Sequence, residues 1–223
     1  MTLSQALREK HADAWARIFA DPFVRGIGDG SLPVDRFRFY LGQDYLFLVE
    51  YGRVLALAVA KAPDLDTMGR LSTVLEATLN GEMDLHRRYS AGFGVSVEAL
   101  ETAVEAPATH AYTRHLLAVA YSGALAEILF ALLPCAWGYH EIGLRLRDAG
   151  GVREGNPYAE WIQTYSSEEY GTLARWLRDL ADGLAEGLPE REVKRLERHY
   201  VEGLRHELAF WRMAHAGPSA PDD

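Results

Sequence analysis

Apolar residues recur every three or four positions through most of the chain, and almost nowhere do they strictly alternate with polar ones. The first pattern marks amphipathic helices; half-buried strands would repeat with period two. Runs of β-branched residues joined by hairpin dipeptides are missing as well. The pattern therefore predicts an all-α chain. Leu3, Leu7, Trp15, Ile18 and Phe19 give an apolar face to a first helix over 3–20. "DPFVRGIGDGSLP" reads as a connector containing a short helical turn. A long helix is expected from Pro33 to about residue 61, because proline suits the first helical position and Pro63 stops the run. The next spans 63 to the glycines at 92–94, and a short one covers 96–103. "PATHAYTRHLLAVAYSG" and "GALAEILFALLPCAWGYHEIGLRLRDAGG" supply two more. Asn156-Pro157 opens another, which breaks at Ser166-Ser167, where a serine followed by glutamates can cap a new helix. The last runs over about 189–215.

No repeat or domain-type linker interrupts this series. The expectation is a single all-α domain over 1–216, built as a multi-helix bundle, with the tail "GPSAPDD" (217–223) disordered. The one segment that tests a soluble reading is "LLAVAYSGALAEILFALLPCAW", 116–137. Its length approaches that of a membrane span. But Glu127 lies in its middle, Ser122-Gly123 offers a turn, and Pro134 interrupts its end. We read two buried helices meeting near Ser122, and no membrane.

Charge narrows the partners. The 223 residues carry 23 Lys plus Arg against 32 Asp plus Glu, a formal charge of −9. Such a surface repels phosphate backbones, and no compact basic cluster offsets it, so nucleic acid is not expected. The single cysteine excludes an internal disulfide and fits a reducing, cytoplasmic compartment. The N-terminus "MTLSQALREKHADAW" lacks the apolar core of a signal peptide.

That cysteine, Cys135, directly follows Pro134 inside an apolar run. Proline removes a helical hydrogen bond and crowds the preceding turn, so a kink or bulge is expected there. Tyr139, four residues on, shares the Cys135 face. A lone cysteine is most often a small buried apolar group, so packing and chemistry both stay open. Asp44, Phe47 and Tyr51 fall on one stripe of a helix too apolar to lie on the surface. A carboxylate there is costly unless paired, either by an internal donor or by a ligand's N–H groups. Glu207 stands one turn before Trp211 on the last helix. Eleven tyrosines, Tyr112 and Tyr165 among them, fit either a core with wet hydroxyl tips or a pocket for a flat aromatic ligand.

"YLGQDYLFL" (40–48), "PCAWGYHEIG" (134–143), "NPYAEWIQTYSSEEY" (156–170) and "HELAFWRMA" (206–214) together resemble the four signature segments of the TenA family, the thiaminase II enzymes, in the family's order. The resemblance, extended by "DGSLPVDRFRFYL", covers nearly the whole chain. It implies the haem-oxygenase-like all-α bundle, a tetramer, and no metal or other cofactor. It implies an aminopyrimidine aminohydrolase of thiamin salvage. The substrate would be 4-amino-5-aminomethyl-2-methylpyrimidine or thiamin, and the product 4-amino-5-hydroxymethyl-2-methylpyrimidine. By the same resemblance Cys135 is the nucleophile, in the cysteine-bearing branch of the family. Glu207 is the acid/base carboxylate, and Asp44 binds the aminopyrimidine. Phe47, Tyr112, Tyr139 and Tyr165 line the pocket. Gly138, at a variable position, is expected to leave extra room there.

Two other classes fit parts of the pattern. Glu82/His86 and Glu202/His206 have the i, i+4 spacing of chelating pairs, and His11 is a conceivable haem ligand, which would suit a metal or haem oxidase. A non-catalytic pyrimidine-binding or regulatory protein would use the same pocket without turnover.

Overall fold

The computed structural model describes residues 1–218. Among them are twelve α-helices, one π-helical stretch and no strand. The chain packs as two compact units, each assembled from separate stretches. One comprises Met1–Leu32 and Ala126–Arg212; the other comprises Pro33–Leu125 and the described residues 213–218.

The first unit begins with α1 (Leu3–Lys10) and α2 (Ala12–Phe19). One helix was expected over this span, but His11 leaves helical geometry with φ −109° and ψ 29°. The break is held by a hydrogen bond between His11 Nε2 and Glu197 of 2.9 Å. Thr2 and Gln5 close a reciprocal capping box at the start of α1. α3 (Pro22–Asp29) takes Asp21 as its N-cap, which accepts from the Phe23 N–H at 2.9 Å, and ends at Gly30 with φ 75°. Asn156 anchors the 150–158 loop to α3. Its amide donates to the carbonyls of Ile27 at 3.0 Å and Gly151 at 2.7 Å, and its oxygen accepts from the Tyr158 N–H at 3.0 Å. α10 (Ala159–Tyr165) and α11 (Glu168–Ala185) meet at the expected serines, with Ser167 capping α11 by accepting from the Tyr170 N–H.

α9 (Leu125–Asp148) departs from expectation at Pro134. The helix is not interrupted: it continues as one α-helix on both sides of the proline. Proline in a helix interior costs about 3 kcal/mol in isolation, so packing has to offset it. Phe130, Ala131, Leu132 and Leu133 are all buried to within 1% of complete. The last helix, α12 (Glu190–Ala216), presents Gly203 to this turn. A Cβ on Gly203 would stand 2.8 Å from Pro134 Cγ and 2.9 Å from the Ala131 carbonyl oxygen. Only glycine permits the approach.

The second unit is organised on α4 (Val34–Ala60). Phe37, Tyr40, Leu41, Phe47, Leu48, Tyr51, Val54 and Leu55 are all buried. Gln43 ties the loop before α8 (Pro107–Ser122) to α4. Its oxygen accepts from Ala106 N–H at 2.8 Å and Thr109 Oγ1 at 2.7 Å, and its nitrogen donates to Val104 O at 2.9 Å. α7 (Val97–Glu101) lies just before that loop. α8 ends at Ser122 and α9 starts at Leu125, the junction expected from sequence. Among the described residues no helix is long and apolar enough to cross a membrane. Of the tail expected to be disordered, residues 219–223 lie outside the described part.

The helix expected over 63–94 starts and ends close to plan but changes winding in the middle. α5 (Leu65–Glu76) passes into a π-helical stretch, Ala77–Glu82, and then into α6 (Met83–Gly92). Such stretches insert an extra residue and frequently occur at functional sites. Here the insertion ends on Glu82. That residue is half-buried, yet its carboxyl is pushed up to about 7, first by burial and then by the negative charge of Asp44.

Two predictions follow from this packing. Because the folded pKa of Glu82 is raised from 4.5 to about 7, the folded state holds a proton that the unfolded state has released. Stability therefore falls as pH rises through that window and stays reduced above it. Glu82→Gln removes the penalty. Urea denaturation should show the variant gaining up to about 3 kcal/mol at pH 8 and nothing at pH 4. Gly203→Ala forces a methyl against Pro134 and should lower stability by about 1–3 kcal/mol in the same assay.

Candidate functional site

The residues expected to carry chemistry divide between the two units. Cys135, Tyr139, Tyr165 and Glu207 belong to the first; Asp44, Phe47 and Tyr112 belong to the second. Within each unit they cluster.

In the first unit three contacts fix how α9 and α12 run together. Glu127 on α9 pairs with Arg195 at 3.0 Å and His199 at 3.4 Å on α12. One to two turns further, Ala131 and Pro134 abut Gly203. Beyond that, the rings of Tyr139 and Trp211 lie 5.1 Å apart. The helices run in the same direction in nearly constant register, and that register sets Cys135 level with Glu207. Both are almost fully enclosed, at 9% and 3% exposure. The lone thiol and a buried carboxylate thus occupy adjoining turns.

Rings close this cluster. Tyr139 lies 4.8 Å from Tyr165 and 5.8 Å from Trp161, and Trp161 lies 4.6 Å from Tyr165. Trp161 and Trp211 are 6.3 Å apart, edge to face. Trp161 was absent from the expected set, although its i, i+4 spacing to Tyr165 was available in the sequence. Two neighbours of Cys135 turn elsewhere. His140 Nδ1 bonds to the Tyr165 carbonyl oxygen at 2.8 Å, and its ring packs against Gly171. Gly138 leaves room for the indole of Trp15, where a Cβ would come within 3.3 Å, so the space expected to enlarge a pocket serves helix packing instead.

In the second unit Asp44 is 3% exposed on α4. Tyr40, one turn earlier, donates its hydroxyl to Asp44 Oδ2 at 3.1 Å. His86 on α6 places Nδ1 3.7 Å from the same oxygen, while its Nε2 bonds to the Leu41 carbonyl oxygen at 2.8 Å. Burial lowers the His86 pKa, the carbonyl bond opposing in part. One stripe of α4 continues into rings: Phe47 stacks near Tyr51 at 6.0 Å and lies tilted against Tyr112 of α8 at 5.0 Å. The Gln43 tether fixes the start of α8 and hence the turn that carries Tyr112. Neither Tyr40 nor Gln43 was singled out from sequence; Tyr40 sits at the i−4 position from Asp44, where a hydroxyl partner for a buried acid belongs.

The chelating pairs proposed for an oxidase do not converge. Among the described residues no three His, Cys, Asp or Glu side chains stand together as a metal site would need. His86 commits one nitrogen to a backbone carbonyl, and His11 is engaged by Glu197.

Comparison with known proteins bears on the family and the fold of the chain. The chain is 44% identical to the aminopyrimidine aminohydrolase of Halalkalibacterium halodurans, over 96% of either protein. The TenA homologue from P. horikoshii OT3 superimposes with a TM-score of 0.91 at 32% identity, covering 98% of this chain and all of that one. A domain from Shewanella denitrificans with a heme oxygenase-like fold superimposes with a TM-score of 0.73 at 15% identity, over 93% of this chain and 90% of that one. That likeness concerns the fold alone, and it makes the architecture a haem-oxygenase-like all-α bundle. The model of the TENA/THI-4/PQQC family matches residues 8–216, spanning both units, and the chain belongs to that family.

Proposed function

We propose that this protein is an aminopyrimidine aminohydrolase of the thiaminase II type. It would convert 4-amino-5-aminomethyl-2-methylpyrimidine to the 5-hydroxymethyl compound with release of ammonia, and it would also accept thiamin. The observation that carries the reading is the register of α9 and α12, which sets the lone thiol of Cys135 level with the buried carboxylate of Glu207, one turn before the Tyr139–Trp211 ring contact. A thiol beside an acid suits nucleophilic catalysis with proton transfer.

Direct displacement of the amine by water is slow. In the proposed route the Cys135 thiolate forms a bond to the electron-poor ring carbon next to the substituted one. The adjacent ring nitrogen takes up a proton. The ring's electron pair then expels the protonated amine as ammonia and leaves an exocyclic methylene. Water adds to that methylene and gives up a proton. The ring nitrogen gives back its proton as the carbon–sulfur bond breaks, and the thiolate returns. Glu207 serves each proton transfer, and general acid/base groups of this kind typically contribute about 10²–10⁴-fold. Asp44 accepts from the exocyclic amine, a charge-assisted bond of the stronger kind. Phe47, Tyr112, Tyr139 and Tyr165 give the flat base apolar contact and exclude water.

Residues 1–216 then form one catalytic domain. We further propose a homotetramer, on the family resemblance, and a cytoplasmic location, which a chain with one cysteine and so no internal disulfide fits.

Purified enzyme should release ammonia from the aminomethylpyrimidine. Binding without release would make it a pyrimidine-binding protein instead. Cys135→Ser should reduce kcat at least about 10³-fold with the ligand still bound, since a neutral hydroxyl is a far weaker nucleophile than a thiolate. Near-normal turnover would remove Cys135 from the mechanism. Asp44→Asn should raise KM by about tenfold or more, because a charged acceptor is worth roughly 1.5–3 kcal/mol.

A further inference from the structure

α9 carries more than the thiol. The carbonyls in the last turn of a helix need donors from outside that helix. For Tyr165, the last residue of α10, His140 of α9 supplies one: its Nδ1 lies 2.8 Å from the Tyr165 carbonyl oxygen. A carbonyl only accepts, so Nδ1 carries the hydrogen and donates. Two turns further along α9, Arg147 gives an N–H to the next carbonyl, that of Ser166, at 3.4 Å. Gly143 stands between these two donors. A Cβ on it would come within 2.6 Å of the Tyr165 carbonyl carbon, 2.7 Å of the Ser166 nitrogen and 3.0 Å of Tyr165 Cβ. The end of α10 therefore lies directly on the α9 backbone.

His140 is held in turn from its other side. Gly171 of α11 leaves space for the imidazole, where a Cβ would stand 2.6 Å from both Cε1 and Nε2. The Tyr165 ring is placed by the backbone contact with α9. It sits edge-on to Tyr139 at 4.8 Å, lies 4.6 Å from Trp161, and is 7% exposed. Tyr139 follows Cys135 by one turn on the same helix as His140 and Gly143. One helix thus presents the thiol and Tyr139, and also fixes the backbone that carries the facing tyrosine.

We propose that His140 is a positioning residue: its hydrogen bond to the Tyr165 carbonyl sets where the Tyr165 ring meets the pyrimidine. The proposal rests on the aminohydrolase reading, in which Tyr165 contacts the base. His140 acts through Tyr165 and not on the reacting atoms. Its contribution is to hold one wall of the binding site at a fixed distance from the helix that bears Cys135. A side chain that only filled space would need no donor at this position. The donor, the gap at Gly143 and the cradle at Gly171 converge on one peptide group.

The test is steady-state kinetics on the aminomethylpyrimidine, in the wild-type background and in Tyr165→Ala, with thermal melting as the check on folding. Asparagine can place an amide N–H where Nδ1 stands; leucine offers no donor. His140→Leu should raise KM about tenfold with kcat changed less, and His140→Asn should recover most of the loss. In the Tyr165→Ala background His140→Leu should raise KM no further, because the ring through which it acts is gone. Gly171→Ala presses a methyl on the imidazole and leaves both partners of the bond in place. It should raise KM in the same direction. An unchanged KM in folded His140→Leu, or in Gly171→Ala where His140→Leu does not fold, overturns the positioning role. Equal losses in the leucine and asparagine variants, or the same rise in both backgrounds, overturn it too. Tyr165→Ala should itself raise KM about tenfold or more. If it does not, Tyr165 is no pyrimidine contact, and the proposal falls with that assignment alone. No ammonia release from the wild-type enzyme overturns the aminohydrolase reading and this one with it.

Discussion

The approach of α12 to α9 at Gly203 is the constraint on which the first unit depends. A proline in the middle of a buried helix deprives a carbonyl of its partner and crowds the preceding turn. The neighbouring helix answers with a residue that has no side chain, and its backbone closes to a distance that a Cβ would forbid. Once that contact is set, the rest of the register follows. The Glu127 ion pairs lie on one side of it and the Tyr139–Trp211 contact on the other, with Cys135 and Glu207 held between. Packing density turns one glycine into a positional device for a thiol and a carboxylate.

The second unit is organised by charge. Asp44 is a carboxylate in a helix whose other inward positions are apolar or aromatic. A buried charge of this kind is tolerated only where partners surround it. Tyr40 gives it a hydrogen bond, and His86 faces it with a nitrogen. Its field reaches Glu82, whose ionisation is delayed toward neutral pH. The π-helical turn advances the chain by one residue before α6. That adjustment lies within the same few turns as the charged cluster. The stability given up there is of the kind that sites of ligand recognition commonly carry.

Much of this architecture was legible in the sequence because helices announce themselves by period and punctuation. Pro63, Ser122-Gly123, Ser166-Ser167 and Pro189 each mark a real boundary. The misreadings share one cause: tertiary contacts overrode local rules. His11 breaks a continuous apolar pattern because Glu197, far along the chain, bonds to its ring. Pro134 fails to break α9 because its surroundings are packed and Gly203 gives way. The π-helical turn has no sequence signal that periodicity would detect. The side-chain clusters were legible where residues share a helix face, as with Cys135 and Tyr139 or Asp44 and Phe47. Pairings between helices, such as Tyr139 with Trp211 or Asp44 with His86, needed the fold.

The central claim is that the α9–α12 register makes Cys135 and Glu207 an interacting pair. The chain's single cysteine makes the test direct. Thiolate formation can be followed by ultraviolet absorbance against pH, with Cys135→Ser as the blank, in the wild-type enzyme and in Glu207→Gln. A carboxylate beside a thiol disfavours the thiolate. The account therefore predicts that removing the Glu207 charge lowers the thiol pKa, by one unit or more for groups in contact. Identical titration curves in the two proteins would contradict it.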